Sequence, residues 1–262
     1  MKRTPLNLDA EQLPSAYRPL VQHAPVWDSS CSREARVIYV ERDGGYFLKS
    51  SPAGTLKREA DMTRYFHGKG LAAEVLDYRT EGKRDWLLTA RVPGEDCTDL
   101  QYLSDPKRLC DTWAELLRML HETSYEGCPV PDRMATYFEL AEKNHEAGEG
   151  SISFFGDASP FSNVEEAWQI VREGRDCLVS DTLIHGDYCL PNLLLQDWRF
   201  SGFIDLGNGG VGDRHVDLFW GAWTLRYNLH TDAYRDRFFD AYGRDRVDRD
   251  CLRTVAAAEV FG

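Results

Sequence analysis

The sequence predicts an α+β chain of two lobes, a small β-rich one over residues 1–92 and a larger, mainly helical one over residues 93–262. Three observations predict it. Apolar and polar residues alternate with period two, between glycine-containing turns, in the early part of the chain. Apolar residues recur at helical spacing through most of the chain beyond Leu109. Between the two patterns Pro93 and Gly94 interrupt the last strand and mark a hinge. A chain of 262 residues can bury a core either as one large domain or as two lobes.

Taken in order, Ala35 through Val40 alternate, Asp43, Gly44 and Gly45 supply a turn, and residues 46–49 form a second strand ending at Lys49. A helix runs from Leu56 through Met62, Tyr65 and Phe66, stopped by Gly68 and Gly70, with Glu59 in its first half. Residues 75–78 and 86–92 read as another hairpin, turned at Glu81 and Gly82. Leu109, Trp113, Leu116, Leu117 and Leu120 form a helical stripe that belongs in a core. Tyr137, Leu140 and Ala141 indicate another helix, residues 148–160 are loop-rich, and residues 164–173 are helical again. Two short apolar strands, residues 193–196 and 200–205, surround a turn at residues 197–199. Beyond Gly212 three helical patterns remain: Val216, Phe219, Trp220 and Trp223; Tyr234, Phe238, Phe239 and Tyr242; Leu252, Val255 and Ala256. Asp213 is placed to cap the first of these.

The densest chemical signal is Ile184, His185, Gly186, Asp187, Tyr188, Cys189, Leu190, Pro191, Asn192, with Phe203, Ile204, Asp205, Leu206, Gly207 one hairpin later. Phosphoryl transfer needs an Asp to orient a hydroxyl and accept its proton, an amide oxygen for a Mg²⁺ ion, and a second Asp bridging metal and phosphates. Asp187, Asn192 and Asp205 are those residue types in that order. Mg²⁺ takes few protein ligands in tight octahedral geometry, so loop and strand must converge, and the hairpin should bring Asn192 and Asp205 to one end. Either half alone is a short string; their conjunction is specific. His185 is read as a scaffold of the loop, through backbone hydrogen bonds, in preference to a general base.

On these residues, with Phe200 through Asp205, Arg84 through Leu88, and Val92, Pro93, Gly94, the chain resembles the aminoglycoside 3′-phosphotransferase family of protein-kinase-like small-molecule kinases over most of its length. The resemblance implies a protein-kinase-like two-lobe fold. In such a lobe a strand Lys contacts α- and β-phosphates and a helix Glu holds it, which here means Lys49 and Glu59. The loop before the first strand lacks a Gly-rich pattern; Ser30 or Ser32 would cover the phosphates, or the loop is an ordinary connection. Backbone groups of Arg91 and Val92 would face the adenine edge. Asp217 resembles a family Asp that braces the catalytic loop, the other reading being an exposed helical Asp.

For the acceptor, the resemblance points to Asp187, to Asp157 in the loop before the residue-164 helix, and to the C-terminal group of Glu259, Phe261 and Gly262 with its terminal carboxylate. This end departs from the family pattern: Ala258 stands where an Asp is usual, and Gly262 is added. Asn208 stands where an Arg is common after the metal Asp, and Tyr227 and Asn228 occupy positions that can be acidic. Fewer carboxylates imply weaker or narrower aminoglycoside binding. The implied reaction is Mg²⁺-dependent transfer from ATP, or GTP, to the 3′-hydroxyl of a kanamycin- or neomycin-like aminoglycoside, conferring resistance. A kinase of another small hydroxyl compound (macrolide, choline or amino sugar) and a non-catalytic nucleotide-binding regulator are the alternatives.

Composition agrees. A net charge of −12 and a pI near 5.1 argue against nucleic-acid or anionic-membrane partners and suit a cationic substrate. Seven scattered cysteines, odd in number and without a Cys-x-x-Cys pair, suit reduced thiols. Pro5, Asp9, Glu11 and Pro14 stand where a signal peptide would be apolar, and no run is long enough for a membrane span, so a cytoplasmic protein is expected.

Overall fold

Period-two alternation becomes sheet and three-to-four spacing becomes helix, as the sequence implies. The computed structural model describes residues 3–31, 35–153, 155 and 159–262. Contacts group the chain into a first unit, Met1–Leu100 with Pro191–Gly207, and a second, Gln101–Leu190 with Asn208–Gly262.

The first unit opens with strands β1 (Thr4–Pro5) and β2 (Val26–Asp28), with a short helix α1 (Arg18–Val21) between them. Then come β3 (Arg36–Val40), β4 (Tyr46–Pro52), α2 (Lys57–Gly68), β5 (Val75–Glu81) and β6 (Arg84–Ala90). The six strands form an antiparallel sheet in the order β1-β2-β3-β4-β6-β5. Alternation sorts its faces. Ile38, Val40, Leu48, Trp86 and Leu88 pack with Leu13, Tyr17 and Val21 of the N-terminal segment, while Leu87 packs with Leu56 and Ala60 of α2. The N-terminal segment is absent from the sequence-based elements because its strands are two and three residues long, too short to show a period.

The start of α2 is fixed by Asp85, which is fully buried and accepts hydrogen bonds from the N–H groups of Gly54 and Leu56 and from the Thr80 hydroxyl. Burial alone would raise its carboxyl; these donors outweigh it and hold the group below the ordinary value. Beyond Pro93, β7 (Glu95–Asp96) pairs with β9 of the later hairpin, so the first unit extends beyond Val92. Gly94 is required there: its φ is +91°, and a Cβ would lie 2.2 Å from the Leu195 carbonyl oxygen.

The second unit takes up the chain through α3 (Leu100–Leu103), α4 (Pro106–His121), α5 (Arg133–Glu146), α6 (Val164–Gly174) and β8 (Thr182–Ile184). The chain then returns to the first unit as the hairpin β9 (Leu193–Gln196) and β10 (Arg199–Phe203). It ends in the second unit with β11 (Gly210–Gly212), paired to β8, and helices α7 (Arg214–Leu229), α8 (Arg235–Tyr242) and α9 (Arg249–Ala258). Met134, Phe138, Ala167, Val171, Ile184, Val216, Val255 and Ala257 form one core shared by α5, α6, β8, α7 and α9. Leu109, Trp113, Leu117 and Leu120 of the α4 stripe are fully buried. Asp105, Asp132, Asn163, Asp213 and Asp248 cap α4, α5, α6, α7 and α9, each side chain accepting a backbone N–H of the first turn.

Candidate active site

The register of the main sheet builds a cavity. Lys49 of β4 lies opposite Val37 and Leu87, and Phe47 lies opposite Thr89. All five line a cavity of about 230 Å³ in the first unit, closed further by Ala90, Val92, Leu194 and Phe203, with Asn192 and Asp205 also on its wall. A slip of one residue in β4 would turn Lys49 into the packed opposite face.

Lys49 Nζ is 3.0 and 2.8 Å from the two carboxylate oxygens of Glu59 on α2, and 2.8 Å from Oδ1 of Asp205. The Lys49 and Glu59 side chains are only 18 and 10 % exposed, whereas Asp205 is 51 % exposed, so the pair is sealed while the Asp205 carboxylate stays open to a ligand. Burial works against the Lys49 charge, but the carboxylates of Glu59 and Asp205 overcome it and raise its pKa above the ordinary lysine value. Burial raises the Glu59 carboxyl, with Lys49 opposing and Asp205 adding to the rise. The hairpin brings the backbone of Asn192 and the strand end before Asp205 to one side. Asp197 and Trp198 are both left-handed, with φ of +51° and +66°, the two-residue turn that matches strand twist. Phe203 pairs with Leu193, and beyond them the Ile204 N–H donates to the Asn192 carbonyl at 3.0 Å. Asp205 comes next at φ +59°, a conformation Asp tolerates better than most residues.

In the second unit, Asp187 sits on a loop leaving β8. Its two preceding residues donate backbone N–H groups to a single fully buried carboxylate: His185 to Asp217 Oδ2 and Gly186 to Oδ1, both at 2.7 Å. His121 Nε2 lies 3.1 Å from the same carboxylate and its Nδ1 is 2.8 Å from the Tyr242 hydroxyl. The Asp187 N–H donates to His185 Nδ1 at 3.3 Å, and the Leu190 N–H to the Thr224 hydroxyl at 3.1 Å. Gly186 has φ +79°, and a Cβ there would meet the Asn208 carbonyl oxygen at 1.9 Å, so only glycine fits. Asp217 is thus a buried brace, not an exposed helical Asp, and His185 is packed as a scaffold.

Residues 32–254 match the phosphotransferase enzyme family, APH. The chain belongs to that family. This phosphotransferase-family chain is 47 % identical over 257 residues, 98 % of each sequence, to a probable aminoglycoside 3′-phosphotransferase of Lactococcus lactis subsp. lactis (strain IL1403). It is 31 % identical over 79 % of each sequence to an aminoglycoside 3′-phosphotransferase of Streptomyces fradiae. Its fold is that of a solved aminoglycoside 3′-phosphotransferase of type VIII, with TM-score 0.73, 23 % identity, and 90 and 91 % of the two chains covered. A Streptomyces rimosus aminoglycoside phosphotransferase solved with ADP and streptomycin superimposes with TM-score 0.72, 24 % identity, and 86 and 90 % coverage. The α+β architecture read from the sequence is therefore the architecture of aminoglycoside phosphotransferases.

The remaining family-implied residues have the following surroundings. The Ser30 hydroxyl accepts the Val37 N–H at 2.9 Å, tying its loop to β3, and it is Ser29 and Cys31 that line the cavity. Ser32 and Asp157 lie outside the described residues. The Arg91 N–H is committed to the Gly45 carbonyl at 3.0 Å, while Ala90 and Val92, two apart on an extended segment, both line the cavity. Phe261 is buried among His145 and Trp168, and its carbonyl accepts from Asn144 at 2.7 Å; Gly262 is exposed. Glu259 is half-buried and hydrogen-bonded to Tyr137 and Trp220. His121, Tyr137 and Trp220 have no signal in the sequence, since each is an isolated polar group on a helix whose partner is set only by packing.

Proposed function

We propose that the chain transfers the γ-phosphoryl group of ATP to the 3′-hydroxyl of an aminoglycoside, and so confers resistance to that antibiotic. The observation that carries the reading is the Lys49 ammonium held between Glu59 and Asp205 in an apolar cavity walled also by Asn192. The names of relatives at 47 and 31 % identity support the aminoglycoside as acceptor. An apolar slot bounded by Val37, Leu87, Val92 and Phe203 suits a purine ring, with the backbone of residues 90–92 on its wall as the candidate partner of the purine edge. Lys49, fixed by Glu59, would bind the α- and β-phosphates.

Asn192 and Asp205 offer an amide oxygen and a half-exposed carboxylate, a hard oxygen donor set that fits Mg²⁺ with phosphate oxygens completing its shell. Among the described residues no group of three or more His, Cys, Asp and Glu side chains forms a separate metal cage. Bound Mg²⁺ would neutralise charge across the phosphates. Asp187 would accept the proton of the acceptor hydroxyl as its oxygen bonds to phosphorus and the bond to ADP breaks. The brace of Asp217 and His185 holds the Asp187 backbone in one conformation, which limits the reorganisation required at that step.

Among the described residues no helix is long and apolar enough to cross a membrane, in keeping with a proposed cytoplasmic site of action. The test is Asp187→Ala assayed with ATP and kanamycin. The expected result is a loss of turnover of roughly 10²-fold or more with nucleotide affinity retained. A variant with wild-type turnover would remove Asp187 from the mechanism, and a wild-type protein that phosphorylates another hydroxyl compound but no aminoglycoside would replace the acceptor.

A further inference from the structure

The Glu259 carboxylate is pinned by two helices to which it does not belong. Its Oε1 receives the Tyr137 hydroxyl of α5 at 2.7 Å and the Trp220 indole N–H of α7 at 3.2 Å. Both donors converge on one oxygen, and among the described residues Oε2 receives no hydrogen bond. The charges that act on it most are the Asp187 carboxylate, which disfavours its ionised form, and the Arg133 guanidinium of α5, which favours it. Tyr137 is a dependable donor, because burial and the Glu259 carboxylate together hold its phenol far above the ordinary value.

We propose that Tyr137 and Trp220 are positioning residues for acceptor binding: by occupying Oε1 they hold Glu259 with Oε2 left for one ammonium group of the aminoglycoside. The inference rests on the aminoglycoside reading above. A carboxylate already fixed loses little rotamer freedom when an ammonium arrives, so the two donors supply preorganisation. A single accepting oxygen also suits a compact ammonium better than a bidentate guanidinium.

The arrangement carries a pH signature. Burial lifts the Glu259 carboxyl to about 7, the hydrogen bonds from Tyr137 and Trp220 working against that rise and Asp187 adding to it. An ammonium needs the ionised form, so acceptor affinity should climb as pH rises through that value and fall on the acid side. Removing a donor that favours the ionised form moves this acid limb to higher pH.

The experiment is calorimetric titration of kanamycin A into the wild type, Tyr137→Phe, Trp220→Phe and Glu259→Gln between pH 5.5 and 8, with steady-state kinetics on the same proteins. Tyr137→Phe keeps the ring and its packing. It should raise the acceptor Kd and KM by about tenfold, the usual effect of losing one hydrogen bond to a charged group, and move the acid limb upward. The kcat and the KM for ATP should stay within about twofold. Trp220→Phe should act in the same direction, and Glu259→Gln should abolish the limb. A Tyr137→Phe protein with unchanged acceptor affinity and an unmoved limb overturns the proposal while leaving the aminoglycoside reading intact. A wild-type protein that binds no aminoglycoside overturns both.

Discussion

At the scale of single residues the chain works by placing charges where burial makes them expensive and then pairing them. Lys49 is the clearest case, since Glu59 and Asp205 hold it protonated against burial. Its folded pKa lies above the ordinary lysine value of about 10, so the stabilisation is complete below that pH and fades only as pH rises through the higher folded value. Through neutral pH the pair is therefore constant, and any titration of activity near 7 belongs elsewhere. Lys49→Ala should raise the KM for ATP at least about tenfold and cut turnover on the order of 10²-fold, because it removes the charge that the proposed function places on the phosphates. Wild-type values for both would end the assignment. Asp187, Asn192 and Asp205 stand out in the sequence by residue type and order, and Lys49 and Glu59 through the family resemblance; the structure brings Lys49, Glu59 and Asp205 together. Tyr137, Trp220 and His121 do not stand out, because a lone polar residue on a helix has no pattern until tertiary packing gives it a partner.

At the scale of elements, two segments that carry proposed site residues are attached to a rigid neighbour by a buried carboxylate. Asp85 fixes the start of α2, which carries Glu59, and Asp217 of α7 fixes the loop that carries Asp187. Asp217→Ala would strand the buried N–H groups of His185 and Gly186 and the ring of His121. We expect a loss of about 3 kcal/mol, a fall in Tm of roughly 10 °C, and a turnover defect larger than any change in nucleotide affinity. Thermal unfolding and single-turnover kinetics check this, and an unchanged Tm would show that the loop keeps its shape without the brace. The helices and hairpins behind these attachments were readable from period and turn residues. The short β1, β2 and β7 were not, because two- or three-residue strands owe their existence to a neighbouring strand and not to their own sequence.

At the scale of the whole molecule, the net charge of −12 acts on the two substrates with opposite sign. On the proposed roles, a polycationic acceptor would be drawn by the acidic field and by the Asp187 and Glu259 carboxylates, whereas a polyanionic nucleotide would cross that field to reach Lys49. Salt screens both effects, since the Debye length falls from about 30 Å at 0.01 M to about 10 Å at 0.1 M. Raising ionic strength over that range should therefore raise the KM for an aminoglycoside several-fold while lowering, or leaving unchanged, the KM for ATP. Steady-state titrations of each substrate at saturating levels of the other would separate the two slopes. Slopes of the same sign would mean that local contacts at Lys49 and Glu259 decide both affinities and that the acidic surface serves solubility alone.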